Sequence, residues 1–415
     1  MRFDYFIREE RAEIKHLEHL EDLFLQRGFN ALHVIKDFLS IYSNHVSKNA
    51  KVIAQIKIDG SPAVVIGKDP RDHKFFISTK SAFAGTQKLA KSLEDIRYYF
   101  SGELAKKMSI VFNYLSGLNL SSGEGYQMDL VFTNDDKKSQ VIDGENYISF
   151  RANVINYAVK EGSQFFNRVQ AAQIGLVVHT KYKLTEKNNR LEFSQQHLNF
   201  SKLISQASHN PNIFLIDNII KSDKIAKSQL KNKNFIFKII KEIESRTRTA
   251  NDFIQIMQKE VPELSRTFMA YINNEIFKTD SSIHADAKNK QIFRGEHYYS
   301  RLIDYINETS KCQINKYKTI VKKAKLRLEC EKKENFLKKH KKDFIDTIRI
   351  YYRAITVKYL ILEDLKDISN IFSKSFIGST ESDEGIVLVS AKNVVKVVDR
   401  LEFSKQNRLN WEASH

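Results

Sequence analysis

The stretch VIAQIKIDGSPAVVIG, residues 52–67, decides the fold of this chain. Two runs of β-branched and apolar residues flank the tetrapeptide DGSP (59–62), which is typical of two strands joined by a hairpin turn. Alternation along the first strand puts Lys57 and Asp59 on the same face. The sequence therefore predicts a hairpin with a lysine and a carboxylate side by side at its turn.

Further strands and helices are predicted downstream of this hairpin. The runs that predict strands are FFIST (75–79), GYQMDLVFT (125–133), YISF (147–150) and IGLVVHTKY (174–182). Residues 86–117 and 163–173 predict helices between them. Strands with interspersed helices predict an α+β sheet domain.

The rest of the chain differs in character from this sheet domain. Residues 10–48 predict two amphipathic helices, and the chain from about 198 to about 375 is basic and mostly helical in pattern. Strand patterns return at 384–390 and 393–400, and we expect them to pair back into the first sheet. The predicted domains are N-terminal helices (1–49), a sheet domain (50–198 and 378–415) and a basic helical insertion (199–377).

Composition narrows the class of protein. Hydrophobic residues make up 42% of the chain and charged residues 28%, as in soluble globular proteins. No apolar run reaches the roughly 18 residues that a membrane span requires, so we expect no membrane partner. Cys312 and Cys330 have no second pair nearby and are interpreted as free thiols. A cytoplasmic protein is expected; the oligomeric state is left open.

A net charge of +17 favours binding to phosphates. Lysine-rich segments at 221–242 and 317–342 carry much of this excess, and the second is interpreted as one long helix with a narrow apolar seam. The seam residues are Ile320, Ala324, Leu326, Leu328 and Phe336. The candidate nucleic-acid contacts are Lys338, Lys339, Lys341 and Lys342. A solvated helix face is the alternative interpretation of such a run.

Five chemically active residues follow one another on or beside predicted strands. In chain order they are Lys57, Lys80, Asp129, Glu384 and Lys396. A lysine on a sheet face near other cations and a metal can lose its proton and attack phosphorus. A carboxylate within an apolar strand, such as Asp129, needs a partner because burying it alone is costly. His179 is interpreted as a hydrogen-bonded core histidine, with a catalytic role as the alternative.

This ordered set resembles the covalent nucleotidyltransferases, the superfamily of DNA ligases, RNA ligases and mRNA capping enzymes. KIDG, ISTKS, QMDLVF, DEGIVLV and VKVVDR are similar to its motifs I, Ia, III, IV and V, and VVHTKY (177–182) falls at the place of motif IIIa. The resemblance covers roughly 50–182 and 383–403. It implies an adenylation domain of antiparallel sheets with helices, to which the helical insertion and N-terminal helices are added.

The resemblance also implies a chemistry for each motif residue. Lys57 would attack the α-phosphate of ATP and hold AMP, with Mg²⁺ or Mn²⁺ as the metal. The carboxylates Asp129 and Glu384 would contact the ribose or the metal. The remaining nucleotide-binding residues would be Gln55, Ile56, Asp59, Gly60, Lys80 and Lys396.

Some positions depart from the superfamily pattern. They are Pro62, Met128 and Val398, and only 15 residues follow Arg400, too few for the C-terminal domain of DNA ligases and capping enzymes. We therefore expect a polynucleotide ligase that acts on RNA rather than DNA. The alternatives are transfer of a nucleotide to another acceptor and a non-catalytic nucleic-acid-binding protein. Several stretches, among them HLEHLED and IGLVVHT, also resemble a tailed-phage protein family, which would place the protein in the host cytoplasm.

Overall fold

The structure, a computed structural model, describes most of the chain between residues 52 and 401 and a few residues before it. The described residues are 18–22, 36, 52–153, 155–196, 198–220, 231–276, 282–366, 372–377, 380–381, 385–390 and 394–401. The chain divides into two compact units. The first unit comprises 1–16, 56–219 and 370–384, and the second comprises 17–55, 220–369 and 385–415.

Within the described residues, strands and helices alternate along the chain. The strands are Glu18–His19 (β1), Val52–Ile56 (β2), Ala63–Lys68 (β3), Phe75–Ser78 (β4), Glu124–Thr133 (β5), Lys138–Ile142 (β6), Glu145–Arg151 (β7), Ile155–Lys160 (β8), Ile174–Lys187 (β9), Arg190–Gln195 (β10), Ile213–Asp217 (β11), Ile219–Ile220 (β12), Lys374–Ile377 (β13), Thr380–Glu381 (β14), Ile386–Ser390 (β15) and Val394–Val397 (β16). The helices are Leu93–Tyr99 (α1), Gly102–Leu115 (α2), Phe166–Ala171 (α3), Ser201–Ser208 (α4), Lys233–Glu260 (α5), Pro262–Ile276 (α6), Ile283–Lys288 (α7), Gly295–Lys316 (α8), Ile320–Lys339 (α9) and Lys341–Leu365 (α10). The predicted α+β class is confirmed.

The central sheet of the first unit has the strand order β10-β9-β5-β3-β4, with β11 paired to β9. The pairs are antiparallel except for β11 with β9, which is parallel. Consecutive residues of β3 and β5 are buried, as in strands covered on both faces. Helix α2 packs against β4 and β9 and buries Met108, Val111 and Leu115. The predicted strands at 125–133 and 174–182 are confirmed as β5 and β9.

A second sheet of the first unit has the order β14-β13-β8-β7-β6. Its β6–β7 hairpin turns at Asp143 and Gly144, with φ of 52° and 79°. The β9–β10 hairpin turns at Asn188 and Asn189, with φ of 52° and 59°. Both are two-residue turns with positive φ at each central position, the geometry that matches the twist of the flanking strands.

The hairpin predicted at residues 59–62 is wrong. β3 pairs with β4 and β5, whereas β2 belongs to a sheet of order β1-β16-β15-β2-β12. A tight hairpin turn needs positive φ, and neither Asp59 nor Gly60 has it. The segment between β2 and β3 therefore leads from one sheet to another. The strands predicted at 384–390 and 393–400 form β15 and β16. β15 lies beside β2, but neither strand joins the sheet of β3, β5 and β9, so the expected pairing is found only for β2.

The second unit combines that five-stranded sheet with the long helices. Helix α10 is buried on nearly every side between Tyr351 and Ile361, and the aromatic and aliphatic core around it draws on α5, α6, α7, α8 and α9. A charged pair lies inside this unit: Nζ of Lys358 is 2.6 Å from Oε1 of Glu21, and both side chains are fully buried. Burial alone would raise the pKa of Glu21, but the positive charges around it, Lys358 foremost and then His19, His284 and Arg400, together outweigh burial and lower that pKa.

The units divide the chain differently from the predicted domains. β11, at 213–217, joins the first unit, and residues 385–415 group with the long helices rather than with residues 56–219. The helices predicted for residues 10–48 lie outside the described residues except at 18–22 and 36. There, residues 18–19 form a short strand paired in parallel to β16.

The apolar seam predicted for the lysine-rich helix is wrong. Ile320 and Leu328 are 84% and 67% exposed, whereas Phe336 is buried. At about 100° per residue, Leu326 and Ile320 lie some 120° apart around α9, so these side chains do not share a face. The helix also ends at Lys339, and α10 begins at Lys341. No helix among the described residues is long and apolar enough to cross a bilayer.

Candidate active site

A carboxylate stands in the middle of β5, the central strand of the first unit's main sheet. Asp129 lies opposite Ala63 of β3 and Val177 of β9. Its Oδ2 accepts a hydrogen bond from the backbone N–H of Gly60 at 3.4 Å and lies 3.2 Å from Nε2 of His179. The side chain is 15% exposed, and burying a carboxylate without such partners would be costly. The expected partner of Asp129 is therefore present.

His179 reaches Asp129 because β9 bulges at this point. Two consecutive residues of β5 pair with Val178 and Thr180, which leaves His179 as an extra residue between them. A bulge redirects the side chain of the strand that carries it. The side chain of His179 is 23% exposed and pairs with a carboxylate, so the polar partner expected for this histidine is present, but the side chain is only partly buried.

The KIDG segment, residues 57–60, is held at its start by a residue from far along the chain. The backbone N–H of Ile56 donates to the carbonyl oxygen of Asn218 at 2.7 Å, and Nδ2 of Asn218 donates to the carbonyl oxygen of Ile56 at 2.9 Å. Asn218 is buried. This reciprocal pair fixes the backbone from which the lysine side chain starts.

Lys57 and Asp59 form an ion pair within this segment. Ile58 between them is buried, which leaves its two neighbours on the other side of the backbone. The side chain of Lys57 is only 11% exposed, whereas that of Asp59 is 39% exposed. The sequence-based expectation that these two side chains share a face is confirmed.

Gly60 ties the segment to the strand that carries Asp129. A β-carbon at this position would lie 2.3 Å from the carbonyl oxygen of Leu130, so only glycine permits the approach. The backbone N–H of Ser61 donates to that same oxygen at 2.8 Å, and the N–H of Leu130 donates to the carbonyl oxygen of Pro62 at 3.0 Å. The KIDG segment is thus anchored on β5 rather than on its own strand.

Together these contacts place an amine, two carboxylates and an imidazole around one short segment. An amine beside a carboxylate can transfer its proton and then act as a nucleophile. Asp59 is in reach of Lys57 for that transfer. Asp129 offers a second carboxylate acceptor, and the imidazole of His179 offers ring nitrogens that can donate or accept a hydrogen bond.

The donor set fits a hard divalent cation that shares its coordination with a phosphate ligand. Asp129 supplies carboxylate oxygens, and Mg²⁺ is usually bound by one or two carboxylates together with substrate phosphates and water. Among the described residues, no group of three or more metal-binding side chains comes close enough to hold a metal by itself. The predicted ligand Glu384 lies outside the described residues.

Lys80 lies near the same end of the sheet as Asp129. Asp129 pairs with Ala63, and Ser78 at the end of β4 pairs with Val65, two residues along β3. Lys80 follows as the exposed first residue of a 3₁₀ turn. The cation is thus at the end of the sheet where the KIDG segment is anchored.

The other predicted nucleotide contacts belong to the second unit. Gln55 is buried in β2, and Lys396 lies in β16, opposite His19 of β1 and Val387 of β15. Gly385, which follows Glu384, has φ of 94°, and a β-carbon there would lie 2.3 Å from the carbonyl oxygen of Val397. Both the backbone conformation at Gly385 and its close approach to Val397 therefore require glycine at this position.

The predicted nucleic-acid contacts near residue 340 are partly neutralised. Nζ of Lys338 lies 3.5 Å from Oε2 of Glu334, and Nζ of Lys341 lies 2.7 Å from Oε2 of Glu296. The other two predicted contacts are exposed Lys339 and Lys342.

Sequence reasoning missed Asn218, which lies in the region predicted to be the helical insertion. No motif distinguishes it, because its role depends on a long-range contact with Ile56. His179 had a weak signal: the apolar run IGLVV changes to polar residues at that position.

The protein is therefore of the α+β class, and its candidate site is a nearly buried lysine in a segment that Gly60 holds against β5. The chain belongs to DUF6267, a family of unknown function whose sequence profile matches residues 14–410. Searches of curated proteins and of solved structures found no match.

Proposed function

We propose that this protein is a covalent nucleotidyltransferase that takes AMP from ATP onto Lys57. One observation carries the proposal: the Lys57 side chain is 11% exposed and its amine pairs with Asp59, in a segment whose backbone is fixed at Asn218 and Leu130. Such positioning supplies much of the rate enhancement when the reacting group needs only alignment and charge stabilisation. The resemblance of KIDG to motif I adds the nature of the electrophile.

The reaction balances with the residues at hand. Lys57 transfers a proton to Asp59, and its lone pair then forms the N–P bond to the α-phosphorus while the bond to the bridging oxygen breaks. Pyrophosphate leaves with the electron pair of that bond and takes up the second proton of the amine, which leaves a neutral phosphoramidate nitrogen. Lys80, at the same end of the sheet, would bind a phosphate of the departing pyrophosphate. A divalent metal, when bound, supplies neutralisation of phosphate charge.

The second step is proposed from the resemblance. It favours joining of polynucleotide ends, RNA rather than DNA, through the lysyl-AMP intermediate. Transfer of the nucleotide to another acceptor is the alternative enzyme class. A nucleic-acid-binding protein without catalysis is the third candidate, favoured by Pro62, Met128 and Val398.

The test is incubation with labelled ATP and Mg²⁺, then GTP in a parallel arm, followed by denaturing mass analysis and mapping of the adduct. Wild-type protein should gain one AMP on Lys57, and Lys57→Ala and Lys57→Arg should gain none. Lys74→Ala, which removes an exposed lysine of the same unit, is the matched control and should label normally. Absence of an adduct with any nucleoside triphosphate, or labelling of Lys57→Ala, refutes the proposal.

A further inference from the structure

Helices α8 and α9 form a hairpin whose connected ends stand clear of the hydrophobic core of the second unit. The buried residues of α8 are Tyr298, Leu302 and Ile306, and those of α9 are Phe336 and Leu337. No residue between 307 and 335 is buried. Because α8 continues ten residues beyond Ile306, its end lies about 15 Å past its last core contact. Residues 311–328 form the basic tip of this hairpin.

The basic tip carries a dense and uncompensated positive charge. Its sequence, KCQINKYKTIVKKAKLRL, contains no aspartate or glutamate. The seven cations are Lys311, Lys316, Lys318, Lys322, Lys323, Lys325 and Arg327. In the part of the chain that the structure describes, none of them forms an ion pair, unlike Lys338 and Lys341 further along. A polyanion is the partner that this surface attracts.

The same tip exposes aromatic and apolar side chains among its cations. Tyr317 is 42% exposed, Ile320 84%, Val321 80% and Leu328 67%. Nζ of Lys322 lies 5.2 Å from the ring centroid of Tyr317. Large exposed apolar side chains that cluster in this way mark an interaction surface.

We propose that the basic tip binds single-stranded nucleic acid. The cations would neutralise phosphates, and Tyr317 with its apolar neighbours would stack on unpaired bases, the combination used by proteins that bind single strands. A duplex keeps its bases stacked inside and would leave the exposed Tyr317, Ile320 and Val321 without partners. The surface stands on its own charge and exposure, and does not depend on adenylation of Lys57.

An anionic bilayer fits the tip less well than a nucleic acid strand. An interfacial helix needs a wide apolar face with its cations on the opposite side. On α9, at about 100° per residue, Lys322 and Lys325 lie about 60° apart, whereas Arg327 lies only about 20° from Ile320 and so places a cation within the apolar strip. The strip begun by Ile320 also continues with Glu331, which an anionic surface would repel. A flexible strand can follow cations around a helix, and a flat membrane cannot.

Two charge variants of equal size test the surface. The tip variant replaces four exposed lysines with glutamine: Lys316, Lys318, Lys322 and Lys325. The comparison variant makes the same replacement at Lys338, Lys339, Lys341 and Lys342. Fluorescence anisotropy with labelled oligo-uridine, oligo-thymidine, a duplex of mixed sequence and phosphatidylserine vesicles gives affinities over a range of salt concentrations.

We expect single strands to bind the full-length wild type more tightly than duplex or vesicles. Removal of one lysine that neutralises a phosphate should weaken single-strand binding about fivefold at 0.1 M salt and flatten the slope of log K against log salt by about 0.7. We expect two or more of the four lysines replaced in the tip variant to contact phosphates, and fewer of the four replaced in the comparison variant. The tip variant should therefore lose more affinity. Tyr317→Ala should weaken binding about 5- to 150-fold without changing the salt slope, because stacking releases no counterions.

Three results would overturn the proposal: equal losses of affinity in the two charge variants, tighter binding of duplex than of single strands, or binding of vesicles in preference to both oligonucleotides. Oligo-uridine against oligo-thymidine separates RNA from DNA as the source of the strand. Far-ultraviolet circular dichroism shows that each variant is folded. Labelling of Lys57 in the same preparations keeps the two proposals apart, since binding without labelling contradicts the enzyme and labelling without binding contradicts the basic tip.

Discussion

Replacement of Gly60 by alanine should disable the site while leaving the first unit folded. The added β-carbon would lie 2.3 Å from the carbonyl oxygen of Leu130 and 3.1 Å from Cβ of Asp129. Ordinary contacts of a β-carbon begin near 3.4 Å, so the backbone must separate by roughly 1 Å. The nearest atom belongs to the backbone of a central strand and cannot rotate away, so the KIDG segment has to move.

That displacement has a cost in stability and a larger one in rate. The hydrogen bonds between Ser61 and Leu130 and between Leu130 and Pro62 would lengthen, and each is worth about 1 kcal/mol. We therefore expect the free energy of unfolding to fall by about 1–2 kcal/mol. A misplacement of about 1 Å at a reacting group costs on the order of 100-fold in rate, so adenylation of Lys57 should fall by about that factor.

Time-resolved labelling with ATP and Mg²⁺ measures the rate, and urea denaturation followed by circular dichroism measures stability. Gly85→Ala and Gly117→Ala are matched controls, because a β-carbon at either position meets no atom within 4 Å. Both controls should label like wild type. Labelling of Gly60→Ala at the wild-type rate would show that the contact with Leu130 does not position the lysine, and the reasoning for the site would fail.

Three further predictions concern single side chains. Lys358→Met should destabilise the second unit by about 3–5 kcal/mol in urea denaturation, because it leaves Glu21 buried without its 2.6 Å partner; a loss below about 1 kcal/mol would contradict this. Hydrogen bonds from Lys181, Tyr126 and Ser121 overcome the effect of burial and lower the pKa of Glu124 from 4.5 to about 2. The ionised Glu124 therefore stabilises the folded protein above pH 4.5, and this contribution disappears as pH falls toward 2. Glu124→Gln should make stability depend less on pH in that window, and an unchanged acid-denaturation profile would refute the assignment. His179→Ala should slow adenylation about 10-fold or more if the imidazole acts with Asp129, and a normal rate together with normal stability would make the pair a structural one.

The sequence predicts strands well where a buried strand leaves a continuous apolar run. β5 and β9 lie where YQMDLVF and IGLVV predict them, because burial on both faces demands such runs. The pairing of strands cannot be predicted in the same way, since an apolar pattern indicates which face of a strand is buried but not which strand lies beside that strand. The partners of β3 could not be predicted for this reason.

Two Asp-Gly pairs in this chain show why the hairpin predicted at the KIDG motif does not form. Asp143 and Gly144 have positive φ and close a hairpin, whereas Asp59 and Gly60 do not and connect two sheets. The two pairs have the same sequence, but the conformation of Asp59 and Gly60 is determined by contacts with Leu130, which is distant in sequence. Local turn chemistry therefore predicts a hairpin only where no long-range contact competes with it.

The lysine-rich helices show the same limit on a larger scale. Charge density predicts a polyanion partner from sequence alone, but it does not tell which lysines remain available. Lys341 pairs with Glu296 of another helix, and Lys338 pairs with Glu334 in the preceding turn of its own helix. Only the fold reveals the pair between Lys341 and Glu296.

The route of the KIDG segment between two sheets has a consequence for the candidate site. In a hairpin, the position of Lys57 would depend on local turn geometry alone. Here the backbone before Lys57 is fixed by Asn218 and the backbone after it by Leu130. Lys57 therefore sits on a short segment held at both ends by separate elements, an arrangement that limits the directions in which the amine can point. Such restriction is what a nucleophile aligned with a single phosphorus atom needs, and it makes Asn218, rather than a residue of the motif itself, the remote position whose replacement should most disturb the site.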